Sequence, residues 1–503
     1  MSAKVYPNCD SSVWLRSCEE EILQAIDGKV SGTIPEWIKG SLLRNGPGKG
    51  HFGPDKFNHL FDKSALLHRF AIADGKVTYQ CRFIRTNCFK ENSAANRIVV
   101  TEFGTKSTRD PCKSIFEKIS AIFNGEGMSD NAMISIYPFG DEFFAFTESP
   151  IMFNIDVETL ETKERINLSQ QFGIVHHTSH PHVRQNGSAF NLGTAVTKFG
   201  PKYCIIGFPR SENGVKSGKI VASMPVSSML NPCYMHTFGM TENFFVLVEQ
   251  PLFMPVTQMS KAIWNDDPLI DTLCWNGDKT TRFHVLSRTT GNLVQTFCAE
   301  AFFFFHMINA FEEDSQIIID ICCYENADII NAMLMENIRN MQTNPNYSKS
   351  FQSIPQRFVL PLNTEDEKNL CIPEKLTDLA CDLPQINYLR HSGKPYRYFY
   401  ALSSDFACPG MIIKVDVHSK TRTTWSEEHC FPGEPVFLEA PNPTSEDDGV
   451  LLSVLLWGSD QENRVGLLIL NARNLEEIAR CEFITSSPVP RCVHGWFSAT
   501  KED

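Results

Sequence analysis

Along most of the chain, apolar and polar residues alternate in short runs separated by turn residues. His68–Ile84 (HRFAIADGKVTYQCRFI) is the clearest case. Two alternating runs flank Asp74-Gly75, a pair that supplies the positive φ angles of a tight hairpin turn. A looser unit, an apolar strand, a polar turn and a second strand, recurs four times, from Met152, Phe283, Ile412 and Leu467. Their spacing is irregular, so the repeat has no fixed period. Hairpins repeated with long insertions fit a β-propeller, in which each blade is a small antiparallel sheet. Helical periodicity is confined to three stretches: Ser17–Ile26, Ile115–Phe123 and Ile329–Met341. In the second, Ile115, Phe116, Ile119, Ile122 and Phe123 share one face. Residues 364–382 read as a long surface insertion. No linker rich in Gly, Pro or Ser divides the chain, which reads as one domain over 1–503, with 1–30 as an N-terminal extension packed on it.

Composition narrows the function. Lys plus Arg is 46 and Asp plus Glu is 59, a net charge of −13, which would repel a phosphate backbone and argues against nucleic acid as a partner. Seventeen cysteines without a C-x-x-C pair form neither a zinc framework nor a small disulfide scaffold and suit a reducing compartment. The N-terminus shows no secretory pattern, and no apolar run reaches the ~18 residues of a membrane span. No dinucleotide fingerprint occurs in a strand–helix context, so neither nicotinamide nor flavin is expected. Phe is the unusual count, at 37. It fits a large core, the plainer reading, or a core plus a cavity for an apolar ligand.

Four of the 14 histidines sit in strand-like or apolar contexts: His180 in HHTSHPHV, His236 in YMHTFG, His306 in FFFFHMINAFEE and His494 in RCVHGWF. A buried imidazole needs a hydrogen-bond partner or a metal. Singly, each reads as a satisfied histidine or as a ligand. They lie tens of residues apart, so only a closed radial fold would bring them to one axis.

At these residues the chain resembles the animal carotenoid cleavage oxygenases, relatives of the retinoid isomerase of the vertebrate eye. The resemblance runs from Ser31–Gly48 (SGTIPEWIKGSLLRNGPG) to VHGWF. It includes HLFDKSALLHRF at His59–Phe70, HTFGMTENFFVLVEQP, H-x-x-N-A-F-E-E at His306, LPQINY and GEPVFLEAP. VYPNCDSSVWLRSCEEEI, MQTNPNY, RYFYALSSD and PVPRCVHGWF give a nearer resemblance to an insect branch that couples cleavage to isomerisation. The resemblance implies a seven-bladed β-propeller with a helical cap over the metal face. It implies Fe(2+) on His180, His236, His306 and His494, dioxygen as co-substrate, and Glu148, Asp382 and Glu434 as carboxylates behind the ligands. The family usually has Glu where Asp382 stands, so the shorter chain is expected to give a lengthened or water-mediated bond. Phe103, Thr147, Tyr234 and Tyr324 match positions beside the substrate. Cys112, acylated in relatives, joins the apolar face of Ile115–Phe123 and Pro251–Met259 in an expected membrane patch, giving a peripheral membrane protein of the cytoplasm with no obligate protein partner.

The activity expected from the resemblance is cleavage of an all-trans C40 carotenoid at its central double bond, with one half isomerised. The alternatives are a carotenoid dioxygenase without isomerisation, a retinoid ester isomerase, and a non-catalytic carotenoid-binding propeller.

Overall fold

The computed structural model describes residues 4–108, 129–211, 214–362, 370–458 and 460–500. Seven antiparallel sheets of four to six strands form the blades of a propeller, whose innermost strands gather around a common axis, and two further two-stranded ribbons, 51–52/55–56 and 252–253/274–275, lie outside them. Blades 2 to 6 use consecutive chain: 135–167, 174–225, 239–299, 307–375 and 381–425. The ring is closed by both termini. Gly495–Ala499 is the innermost strand of blade 1, paired with Gly40–Lys49, and Lys29–Gly32 is the outermost strand of blade 7, paired with Glu477–Ile484.

The hairpin expectations hold. Asp74-Gly75 turns between Ala73 and Lys76, both residues at positive φ. The four looser units are the adjacent strand pairs 151–155/162–167, 281–287/293–299, 412–416/422–425 and 464–471/477–484. Alternating burial places one strand face against each neighbouring blade.

The helical expectations fare differently. Ser17–Ile26 is no helix: Ile22–Asp27 is a strand of blade 1, since Ile22 pairs with Cys81 and its apolar residues serve a sheet. Ile329–Met341 breaks into the short helices Asp328–Ala332 and Met335–Arg339 and the 3-10 turn Met341–Thr343. Ile115–Phe123 lies outside the described residues. Nor is 364–382 wholly an insertion. Cys381–Gln385 is the first strand of blade 6, and Leu376, Ala380 and Cys381 are buried there.

The four-phenylalanine run shows how apolar content is distributed. Phe302 and Phe304 pack between blades with Phe283 and Phe358. Phe303 and Phe305 join Leu60, Tyr234, Tyr324, Ile329 and Ile330 in a cluster shared with the loops over one end of the axis. His59 ties those loops to blade 1: it caps the 3-10 turn Leu60–Asp62 and bonds the Ile330 carbonyl through Nε2 at 2.9 Å. All 16 described cysteines are free thiols, and no helix among the described residues is long and apolar enough to cross a membrane.

Candidate metal centre

The four histidines stand just before innermost strands. His180 precedes His182–Val183 of blade 3, His236 precedes Gly239–Met240 of blade 4, His306 precedes Met307–Glu313 of blade 5 and His494 precedes Gly495–Ala499 of blade 1. Their rings converge. His180 lies 4.7 Å from His236, 5.0 Å from His306 and 4.6 Å from His494, centroid to centroid. One ring nitrogen from each of His180, His236 and His306 falls within 4.8 Å of the others.

The remaining three blades supply the carboxylates. Glu148 comes from blade 2, Asp382 from blade 6 and Glu434 from the loop before Val436–Glu439 of blade 7. Each accepts from the Nδ1–H of one histidine: Glu148 from His236 at 2.6 Å, Asp382 from His306 at 2.8 Å and Glu434 from His494 at 2.7 Å. Every blade thus contributes one residue to the constellation.

With Nδ1–H engaged by a carboxylate, each of these rings presents an Nε2 lone pair. His306 Nε2 is buried with no partner, and His180 Nε2 faces His236 Nε2 at 3.1 Å. Ring nitrogens gathered this closely in a buried site, with His306 Nε2 left without a partner, make a donor set that fits a metal ion. The protonation balance agrees. Burial pushes His180 well below the usual histidine range, and the neighbouring rings of His494, His236 and His306 push it the same way. Burial also lowers His236 and His494, against the pull of their carboxylates. Burial alone would raise the Glu148 and Glu434 carboxyls, but His236 beside the first, and His494 and Arg44 beside the second, hold both at about 2.

The Asp382 expectation is corrected. Its bond to His306 is direct and of ordinary length, because the strand is irregular there. Its register shifts between Asp382 and Gln385, and Leu383 takes a φ of 56°. A bulge of this kind re-aims a side chain, and here it begins at the residue that bonds His306.

Of the positions expected beside a substrate, Tyr234 and Tyr324 adjoin the centre, but their hydroxyls are committed: Tyr234 donates to Glu148 Oε1 at 2.6 Å and Tyr324 to Asp382 Oδ2 at 2.5 Å. Phe103 packs 5.0 Å from the His59 ring and 6.2 Å from Phe61. Thr147 is half-buried immediately before Glu148. Cys112, Ile115, Phe116, Ile119, Ile122 and Phe123 lie outside the described residues. Pro251–Met259 divides: Leu252 and Met254 are buried, whereas Val256 is exposed at the start of helix Val256–Asn265.

Two contributors escaped the sequence reading. Arg44, fully buried, donates to Glu434 Oε2 at 2.8 Å and to the Val493 carbonyl, and Gln385 donates to Glu434 Oε1 at 3.2 Å. An arginine inside the otherwise uncharged run SLLRNGPG was the available signal for the first.

Comparison with known proteins agrees with this architecture. The family model described as "Retinal pigment epithelial membrane protein" matches residues 15–499. The carotenoid isomerooxygenase of Galleria mellonella is 51% identical over 501 residues, covering 98% of each chain. The carotenoid isomerooxygenase of Drosophila melanogaster is 44% identical over 584 residues, covering 99% of this chain and 94% of its own. Among solved structures, cobalt-substituted Synechocystis apocarotenoid oxygenase superposes with a TM-score of 0.78 at 22% identity, over 97% of this chain and 99% of that one.

Proposed function

The chain belongs to the family of carotenoid oxygenases and the retinal pigment epithelial membrane protein, and from that premise we propose that it is an iron(II)-dependent carotenoid isomerooxygenase. The reading is cleavage of an all-trans C40 carotenoid at the 15,15′ double bond, giving one all-trans and one 11-cis retinal-type aldehyde. The observation that carries it is the convergence of His180, His236, His306 and His494, three of them fixed by Glu148, Asp382 and Glu434.

These four imidazoles would hold the metal. Being neutral, they leave a ferrous ion its full charge, unlike the two-histidine, one-carboxylate set of many iron oxygenases. When bound, ferrous iron supplies one-electron chemistry toward dioxygen. The protein's own part is to bind, orient and exclude water. Phe303, Phe305, Tyr234 and Tyr324 form an aromatic wall beside the histidines, with the Phe305 ring 4.9 Å from His236. A polyene has no polar atoms to pair, so ring surface is the complementary lining. Because both tyrosine hydroxyls are bonded to carboxylates, what remains for an apolar ligand is their ring surface. Two oxygen atoms delivered to two aldehydes require no external reductant, in keeping with iron and dioxygen as the only cofactor and co-substrate. Phe103 and Thr147 are the further positions assigned to shaping the isomerised half.

A carotenoid is stored in lipid, and we assign a membrane surface as the source of substrate. Phe199 is 82% exposed, and Met229, Leu230 and Trp264 are each more than half exposed. Met229 lies against Gly200, the neighbour of Phe199, and the Val256 N–H donates to the Leu230 carbonyl, which ties this loop to the start of the helix Val256–Asn265 that carries Trp264. Such a patch suits a protein lying on a bilayer rather than crossing it. Cys112 and the apolar face of Ile115–Phe123 are assigned to the same surface. The seven blades, closed by both termini, are taken as one domain.

The test is cleavage under ¹⁸O₂ by the iron-loaded protein. The reading expects label in both aldehydes and loss of activity on iron removal. Label in neither aldehyde, or turnover without metal, would refute it.

A further inference from the structure

We propose that Tyr324 is a positioning residue: its phenol fixes the Asp382 carboxylate that orients His306. The inference rests on the metal reading above and concerns how this chain builds that site.

Asp382 has both oxygens in use. Oδ1 accepts from His306 Nδ1 and from the Leu383 N–H, each at 2.8 Å, and Oδ2 accepts from Tyr324. The other two carboxylates are held differently. Glu148 takes Tyr234 and lies 3.8 Å from His176, and Glu434 takes Arg44 and Gln385. Asp382 is paired with no cationic Lys or Arg, and Tyr324 is its one side-chain donor besides His306 among the described residues. Its carboxylate could rotate about its terminal bond if only one oxygen were held, because such torsions are broad. The phenol removes that freedom.

The backbone makes the phenol a rigid anchor. Phe303 and Tyr324 exchange two hydrogen bonds, at 3.0 and 2.7 Å, and the Cys322 N–H donates to the His306 carbonyl. Imidazole and phenol therefore stand on one hairpin of blade 5 and grip a carboxylate carried by blade 6. Tyr324 is buried, with Phe303 and Phe305 against its ring. A hydroxyl so committed serves His306 and not the substrate.

The experiment uses the full-length, iron-loaded protein and reads the rate at which a ferrous chelator strips the metal, with melting temperature and KM for the carotenoid in parallel. The variants are Tyr324→Phe, which lacks the donor, Tyr324→Gln, which has a donor but no ring, Asp382→Asn and the double variant Tyr324→Phe/Asp382→Asn. Partners behind metal ligands typically affect affinity by ~10–100-fold, and a group one step further out should sit at about 10-fold. Tyr324→Phe should lose iron about 10-fold faster with KM within about twofold of wild type. Tyr324→Gln should retain iron better than Tyr324→Phe, and the double variant should be no worse than the poorer single one, since both act through one bond. Iron retention by Tyr324→Phe equal to wild type, retention by Tyr324→Gln no better than by Tyr324→Phe, or additive losses in the double variant would each overturn the proposal. A wild-type chain that holds no ferrous iron would instead bring down the metal reading itself, a result readily told apart from a wild type and a Tyr324→Phe that both keep it.

Discussion

An imidazole can present either nitrogen, and at this axis the choice is made from behind, by carboxylates that claim Nδ1–H and leave Nε2 facing inward. The unpartnered Nε2 of His306 makes the consequence concrete. His306→Ala removes one of four donors and should lower iron content and turnover together, each by about 100-fold or more, as read by metal analysis and initial rates. Glu434 adds a pH dependence. Its carboxyl is held at about 2 when folded, against an ordinary 4.5. A depressed carboxyl contributes stability that is fully present above about pH 4.5 and is lost as pH falls toward about 2. Melting curves of wild type and Glu434→Gln should therefore differ most above pH 4.5 and converge through that window, with iron only partly retained by the variant at neutral pH. Parallel curves across the window would mean that Arg44 and His494 do not hold this carboxyl down. At this scale the local context singled out His306, because a histidine behind four phenylalanines demands a partner; His180, His236 and His494 joined it through the resemblance. The roles of Arg44 and Tyr324 were not. Their partners lie 390 and 58 residues away in sequence, and nothing local shows which carboxylate a buried donor will meet.

Hairpins were the legible elements, since a period of two bounded by turn residues is a short-range signal. Two of the three apolar helical patterns were less informative. In Ile22–Asp27 the sheet of blade 1 overrode helical spacing, and in 329–341 the cap required two short turns where periodicity suggested one helix. Closure by the last strand leaves no sequence signal, yet it places His494. Gly495 is the residue that lets this strand dock: a Cβ there would stand 2.1 Å from the Leu43 carbonyl oxygen and 2.5 Å from Arg44 Cδ. Gly495→Ala should thus cost about 1–3 kcal/mol of stability by overpacking. It should also reduce iron content, because the displaced strand carries His494 and crowds Arg44. A variant with unchanged melting temperature and iron content would show that the strand can shift without disturbing the site.

At the scale of the whole molecule, the propeller turns residues scattered over nearly 350 positions, from Glu148 to His494, into a ring to which each blade adds one member. No spacing rule in the chain encodes that ring; it becomes readable only once the closed fold is granted. The outer surface has its own test. Phe199→Asp with Leu230→Asp removes two of the most exposed apolar side chains and should release the protein from liposomes several-fold, while cleavage of detergent-solubilised carotenoid stays near wild type. Undiminished liposome binding would place the membrane contact elsewhere. The centre and its aromatic wall carry the main claim. The wall differs on its sides: the Tyr324 ring packs against Phe303 and Phe305, whereas the Tyr234 ring faces the imidazoles of His176 and His236. A symmetric polyene lying across it therefore meets two environments, and one half can be held in a bent geometry while the other stays extended. The most direct measurement is chromatography, under dim light, of the retinals formed from an all-trans C40 carotenoid with two identical ends. Equal amounts of all-trans and 11-cis aldehyde are predicted. All-trans aldehyde alone, or long apocarotenals from an off-centre cut, would contradict the account.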